Sequence, residues 1–576
     1  MNNPFHSSIL SQLSQLTEMD SDEINKILQG PADARVGDYS LPCFILAKKL
    51  KKNPAEIASE LAGRFVPDGH VERAEATGPY LNIFLNRRAF MEHVLRKIHQ
   101  QGEDYGSSDA GNGKTITIDF SSPNIAKPLG VHHLCSTMIG NSIYRSFKAL
   151  GYNVVGVNHL GDWGTQFGVM LSAYMRWGDS IPEDFTVNDL VELYQRYSRE
   201  MAEDETMAAE AREWFLKLEQ GDEVASKYWN RFREVSLREF ERVYERLDVH
   251  FDSFAGESFY NDKMDSVLER IEGAGLSKIS RDALVVDLED YNMPPCILKK
   301  SDEATLYATR DLAAIEFRKT EYNFDKNLYV VGADQRLHFQ QLFKVLELLG
   351  DDVWQKCRHI DFGLVLFKAG DSYEKSSTRT GNLELLDDVL DRAAEVALEK
   401  IEQSKKKMVF ETSKEEVAES IGIAGVVFGI LSTTRQKDLK FDWDVVLDLE
   451  GGLNGPYLQY AHARQASIIR KFGAEVTDSV NFDRLDDEEE FGLAKMLDQL
   501  PDIIARAAND YEPHIIATYL LELAKAYSVY SQDSKRHKVL SEDEELTAAR
   551  VLLVSCIRTI LQRGLWLLGI KAPQQM

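Results

Sequence analysis

The chain has 576 residues and a formal net charge of −26; that length ordinarily divides into about three or four domains, and that charge disfavours a nucleic acid spread over the whole surface. Hydrophobic content of 44%, with 27 Phe and 22 Tyr, is enough to build cores and excludes a disordered chain. Five cysteines without a CxxC pair exclude a zinc ribbon or disulfide framework and predict a reducing, cytoplasmic setting.

No apolar run approaches the length of a membrane span, and MNNPFHSSIL lacks the basic-then-apolar order of a secretory leader. Local basic clusters remain: Lys48, Lys49, Lys51 and Lys52; Lys405–Lys407; and Lys535, Arg536, His537 and Lys538. Each reads first as a solvated face, although an acidic protein can carry a local basic track.

In chain order, residues 1–105 read as a small α+β domain. It has a helix through Ile9, Leu13 and Leu16, a second helix from Pro42 to Leu61, and a strand in TGPYLNIFLN. The polar, glycine-rich Gly102–Lys114 is the first linker. Thr115–Phe120 then alternates, with Ile116, Ile118 and Phe120 on one face, which predicts a strand. A loop containing Pro123, Pro128 and Gly130 leads to a helix carrying Leu134, Met138, Ile139, Ile143 and Phe147, stopped by Gly151. Tyr152–Val157 reads as the next strand.

This βαβ unit places a ligand site at the carboxyl ends of its strands. His132 and His133 stand at the helix entrance, where backbone N–H groups and the helix dipole favour phosphate, and Lys127 lies just upstream. Cations and imidazoles there suit the stabilisation of charge at phosphorus. Solvated histidines on an ordinary α/β unit are the plainer reading.

Residues from 174 to about 250 read as a charged helical insertion, with Trp177, Trp214, Trp229 and Phe232 as a buried seam. The strand pattern returns at Ala283–Val286, Ala304–Tyr307 and Leu328–Val331, the last entering a helix with Gln335 and His338 at its mouth. Asp311 is expected to begin a helix, either as a first-turn carboxylate or as a partner for a cationic substrate group. Between residues 370 and 382, Lys375, Ser377, Thr378 and Arg379 form a polar loop able to close over a polyphosphate. Residues 451–576 read as a helical bundle, with Pro456 and Pro513 opening helices and a capping box of Ser541 and Glu544 before the last one.

The segments SSPNIAKP, HLCST, NHLGDWGTQFG, YATRDLA, FGLV, KSSTRTG and GPYLQYAHAR, in this order, resemble arginyl-tRNA synthetase over essentially the whole chain. The resemblance implies an α/β multidomain fold: a tRNA-contacting α+β domain (1–105), a Rossmann-type parallel-sheet catalytic domain with the helical insertion (106–450), and an all-α anticodon-binding domain (451–576). It implies a cytoplasmic monomer that ligates L-arginine to tRNA-Arg through arginyl adenylate, using ATP with Mg2+ and no tightly bound metal.

The resemblance also implies roles for residues. Lys127, His133, Lys375, Ser377 and Arg379 are expected in catalysis, and His132, His133, Gly332 and Lys375 against ATP. Ser122, Asn124, Tyr307, Asp311 and Gln335 are expected around arginine, with Asp311 facing the guanidinium. Asn82, Phe84, Tyr457, Tyr460 and Met576 are expected to contact tRNA.

The signature H-[IVA]-G-H-L-R-S-T stands here as Gly130-Val131-His132-His133-Leu134-Cys135-Ser136-Thr137, and YSQDSKRHKVL departs from the usual anticodon-side segment. The alternative reading is a catalytically impaired paralogue acting as a tRNA-binding or regulatory protein. An enzyme that arginylates something other than tRNA is less consistent with the intact helical C-terminal region.

Overall fold

Four strands form the sheet on which the chain's chemistry rests. In spatial order they are Cys357–Phe362, Lys326–Gly332, Thr115–Asp119 and Asn153–Val157, each pair parallel, with Ile118 opposite Leu328 and Asp119 opposite Tyr329. The alternation in TITID predicts one buried face. Both faces are in fact covered, as parallel sheets require, and the polar Thr117 is buried because its Oγ1 donates to Asn327 Oδ1 at 2.6 Å.

Helix Val131–Ala149 connects the first two strands in sequence, and helix Arg336–Leu348 connects the last two. The adjacent strands 115–119 and 326–332 are therefore where the strand order reverses, and a ligand crevice opens beyond their carboxyl ends.

The computed structural model describes residues 3–31, 34–299, 307–369, 372–375, 385–403, 412–448 and 452–576. Two compact units divide the chain: Met1–Gly106 with Arg464–Asp502 and Glu522–Arg563, and Ser107–Ala463 with Ile503–Leu521 and Gly564–Met576. The parallel sheet lies in the second.

In that second unit, Ala283–Val286 is a strand but does not join the parallel sheet. It pairs antiparallel with Ser277–Ser280 and Cys296–Lys299, because Arg281 (φ 50°) and Asp282 (φ 60°) make a two-residue turn that folds the chain directly back. Residues 304–306 of the expected next strand lie outside the described residues, and Tyr307 opens helix Tyr307–Tyr322 instead of ending a strand. Asp311 thus sits one turn inside that helix, not at its start.

The insertion is helical as expected: Gln166–Trp177, Val187–Met201, Glu205–Glu219 and Glu223–Arg246. Its seam differs from expectation. Phe232 is fully buried, but the three tryptophans are only half-buried, and one core gathers Tyr197 with Ala173, Leu193, Met207 and Ala211. Tyr197 can be interior because its hydroxyl donates to the Met207 carbonyl at 2.8 Å.

In the first unit, strands Tyr39–Pro42, Tyr80–Leu85 and Val71–Thr77 form an antiparallel sheet. The expected single helix from Pro42 to Leu61 is two, Phe44–Leu50 and Pro54–Arg64. Lys51 takes a left-handed φ of 52°, and Pro54, which has no N–H to give, starts a new helix capped by the Asn53 side chain.

The C-terminal region consists of helices Gly455–Phe472, Glu488–Asp498, Leu500–Asp510, His514–Gln532 and Glu544–Leu567. The last is capped by Asp543, whose Oδ1 accepts from Leu546 N at 3.0 Å, while Ser541 bonds to Thr547 and so is not the cap. His537 of YSQDSKRHKVL is buried, stacked on Tyr530 at 4.2 Å and reaching Glu489 at 2.9 Å. No helix of the described residues is long and apolar enough to cross a membrane.

Candidate active site

The loop leaving strand 115–119 is unusual at its backbone. Ser121 (φ 68°), Ser122 (φ 49°) and Ala126 (φ 57°) all adopt left-handed conformations without being glycine, a cost that only surrounding bonds can hold. Those bonds are present. Ser121 N–H donates to Ser136 Oγ at 2.9 Å, Ser136 Oγ donates to the Val330 carbonyl at 2.6 Å, and Ser121 Oγ lies 2.8 Å from the Tyr244 hydroxyl. Ala126 N–H donates to Ser236 Oγ at 2.8 Å.

The segments SSPNIAKP and NHLGDWG are zipped together by Ile125 N–H to the Gly161 carbonyl and Gly161 N–H to the Pro123 carbonyl. Gly161 leaves room for the Asn124 side chain: a Cβ there would stand 1.8 Å from Asn124 Oδ1 and displace it. Asp162 in the same segment is a bracket and not a ligand. Its two carboxylate oxygens accept from Ser258 N at 2.7 Å and Ser258 Oγ at 2.8 Å, and it is fully buried.

This scaffold brings Asn124, Lys127, His132 and His133 to the wall of one cavity of about 560 Å³, opposite Gln166, Tyr194 and Asp388. Lys127 and His132 are exposed to it. The two imidazoles are in contact, with ring centroids 3.9 Å apart and planes tilted by 39°. His133 Nδ1 lies 3.1 Å from both the N–H and the carbonyl oxygen of Gly130, so residue 130 holds this nitrogen in either tautomer. Burial, with the neighbouring His132 ring second, pushes the His133 imidazolium down to about 3, so the ring is neutral at any physiological pH. Cys135 is buried in apolar surroundings, which push its thiol up to about 12 and leave it inert.

A second cluster lies along strand ends and helix 307–322. Ser122 Oγ donates to Asp119 Oδ1 at 2.8 Å, and Asp119 Oδ2 accepts from Arg318 at 2.7 Å, a pair with both members buried. Arg318 also approaches His159 Nδ1 at 3.4 Å, and His159 Nε2 faces Asp311 Oδ1 at 3.8 Å. Asp311 Oδ2 lies 2.6 Å from His338 Nε2. Burial pushes the Asp311 carboxyl up, but the His338 hydrogen bond and the surrounding positive charge outweigh it and hold it below the usual carboxylate range.

Glu257, buried against Arg310 at 3.4 Å, behaves in the opposite way. Burial, with help from Asp311 and Asp162, pushes its carboxyl up to about 8. The half-buried Asp311 and the buried Glu257 are thus driven in opposite directions by their surroundings.

The other expected positions are distributed as follows. Gly332 ends its strand at the switch point, and Gln335 is exposed in the turn that follows. Tyr307 opens its helix. Lys375 ends strand Ser372–Lys375, while Ser377, Thr378 and Arg379 lie outside the described residues. Asn82 is buried within the first unit, its amide held by Ser40 at 2.7 Å and Thr77 at 3.1 Å, so its polar groups serve that domain's own sheet. Phe84 is half-buried, with the Arg73 guanidinium 3.7 Å from its ring centroid. Tyr457 and Tyr460 share helix 455–472, with Tyr460 39% exposed, and Met576 packs against a core of Ile401, Val417 and Ile421.

Sequence reasoning missed His159 and Glu257. His159 stands inside NHLGDWGTQFG and Glu257 inside AGESF, but nothing in their spacing distinguishes them from surface polar residues. Only the fold carries them to Asp311.

Comparison with known proteins agrees with this architecture. Residues 94–443 match the class I (R) tRNA synthetase catalytic domain, residues 458–576 the DALR anticodon-binding domain, and residues 4–85 the arginyl-tRNA synthetase N-terminal domain. The solved arginyl-tRNA synthetase of Thermus thermophilus shares the fold with a TM-score of 0.80 at 24% identity, covering 99% of this chain and 100% of that one. The fold is that of a class I aminoacyl-tRNA synthetase. Arginine–tRNA ligases of Clostridium beijerinckii (45% identical, 99% of this chain and 100% of that protein) and Clostridium perfringens (43%, 99% of both) match end to end. The chain belongs to the arginyl-tRNA synthetase family. Nothing in these matches favours a catalytically impaired paralogue.

Proposed function

We propose that the chain activates L-arginine with ATP and passes the arginyl group to the terminal ribose of tRNA-Arg. A carboxylate oxygen of arginine attacks the α-phosphorus of ATP. The bond to the bridging oxygen breaks, releasing pyrophosphate and leaving arginyl adenylate. A ribose hydroxyl then attacks the carbonyl carbon and AMP departs.

The observation that carries this reading is Asp311: a carboxylate at the sheet's switch point, held ionised by imidazoles and set beside buried Glu257, ready for a guanidinium. With its proton on Nε2, neutral His133 donates to a phosphate oxygen, and Lys127 supplies charge to the same cavity. Lys375, with Ser377 and Arg379, holds the departing pyrophosphate. Gly332 lies against the nucleotide, while Ser122, Asn124, Tyr307 and Gln335 complete the arginine side. Asp388 is the one carboxylate among the cavity's described lining, so Mg2+ would be held chiefly by the triphosphate it accompanies, neutralising charge there.

Tyr457, Tyr460 and Met576 meet the anticodon arm, and the 1–105 domain, through Phe84, meets another part of the tRNA. The protein works as a monomer in the cytoplasm, and its five unpaired, buried cysteines support the reducing compartment. The test is exchange of labelled pyrophosphate into ATP with tRNA-Arg present. The reading expects exchange that depends on arginine and fails with citrulline, its uncharged counterpart. Exchange indifferent to the amino acid would overturn it.

A further inference from the structure

We infer that His132 is a catalytic residue in its own right, and that it reaches the reacting phosphate only because position 130 has no side chain. This rests on the adenylation reading above. A Cβ built on Gly130 would lie 2.6 Å from Cε1 and 2.7 Å from Nδ1 of the His132 ring, closer than real Cβ atoms approach. The His132 imidazole therefore lies folded back over the backbone of residue 130, in the volume where any side chain of that residue would begin. There it lies against the His133 ring, the centroids 3.9 Å apart and the planes tilted by 39°.

Of the two rings, His133 is the more enclosed, with Nδ1 engaged by the Gly130 backbone, whereas His132 is exposed to the cavity that also presents Lys127. The signature this segment resembles has histidine at the position of Gly130 and glycine at that of His132. This chain has the two residue types exchanged, and the ring from 132 comes back to the place vacated at 130. Glycine at 130 and histidine at 132 are thus one device: a neutral or protonated imidazole stationed beside His133, donating to a phosphate oxygen as charge builds in the transition state.

A double-mutant cycle on the full-length chain tests this, read as arginine- and tRNA-dependent pyrophosphate exchange with kcat and the KM for ATP taken separately. His132→Ala is expected to lower kcat at least 10-fold with little change in the arginine KM. Gly130→Ala, which displaces the ring, should do nearly the same, and Gly130→Ala/His132→Ala should be no worse than His132→Ala alone. Gly130→His/His132→Gly should recover most of the lost kcat, which a misfolded or merely loosened loop would not permit.

A harmless Gly130→Ala, full additivity of the two alanine changes, or an exchanged variant no better than His132→Gly would each overturn the inference. Melting temperatures and tRNA binding of every variant separate loss of chemistry from loss of fold. If the unaltered chain itself gives no arginine-dependent exchange, the adenylation reading fails and this inference falls with it, whereas a failed cycle in an active chain overturns the inference alone.

Discussion

Asp311 Oδ2 stands 2.6 Å from His338 Nε2, joining helix 307–322 to the entrance of helix 336–348 across the strand that ends at Gly332. The bond orients the carboxylate without consuming its charge, because an imidazole competes weakly with a guanidinium for both oxygens. Asp311→Asn keeps the size and removes the charge. The charge-assisted bonds lost, at about 1.5–3 kcal/mol each, predict a fall in kcat/KM for arginine of roughly 10- to 100-fold. The KM for ATP should stay within about 2-fold. Steady-state exchange kinetics check this, and an unchanged arginine KM and kcat would contradict it.

Glu257 gives a pH signature. Its carboxyl is pushed from the ordinary 4.5 to about 8 in the folded chain, so between those values the folded state holds a proton that the unfolded state has released. Its contribution to stability is therefore full below about 4.5 and is lost as pH rises toward 8. A bound guanidinium favours the ionised form, so arginine should bind with release of a proton and its apparent affinity should rise from pH 6 to 8. Glu257→Gln should flatten that rise and weaken arginine binding. Titration calorimetry in buffers of different ionisation enthalpy counts the proton directly; zero protons released at pH 7 would refute the assignment.

His133 behaves differently. Because its pKa falls to about 3 from the ordinary 6.5, it stays neutral through the working range. Its burial costs stability progressively as pH drops below 6.5, where the unfolded chain takes up a proton that the folded ring refuses. The exchange rate should consequently show no acid limb from His133 between pH 5 and 7. His133→Asn should lower kcat about 100-fold or more, and a loss confined to the KM for ATP would show that the ring acts only in ground-state binding.

The buried Asp119–Arg318 pair, 2.7 Å apart, holds the loop that carries Ser122. Arg318→Met leaves a carboxylate interior without its cation, a change worth about 3–5 kcal/mol. It should lower the melting temperature measured by calorimetry and collapse the positive-φ loop. Asp119→Asn/Arg318→Met should recover part of the loss, since it removes both charges together. Equal melting temperatures for the single variant and the unaltered chain would contradict this role.

Much of this was legible in the residues alone. The alternation of TITID, the helical spacing from Leu134 to Phe147 and the stop at Gly151 correspond to strand 115–119 and helix 131–149, because period and punctuation are local properties. Ala283–Val286 was legible as a strand but not as to its sheet; the turn at Arg281 and Asp282, which carries no glycine, decided that. The helix break at Lys51 was hidden because lysine rarely adopts positive φ. At the site, Lys127, His132 and His133 could be grouped from proximity in sequence. Glu257, His159 and Asp311 could not, since long-range packing brings them together and no spacing rule records it.

The most direct test is aminoacylation of a tRNA-Arg transcript by the unaltered chain with labelled arginine and ATP. The account predicts esterified tRNA that accumulates with time, requires arginine and ATP, and is abolished in Asp311→Ala. A chain that binds the transcript yet leaves it uncharged under those conditions would contradict the central claim.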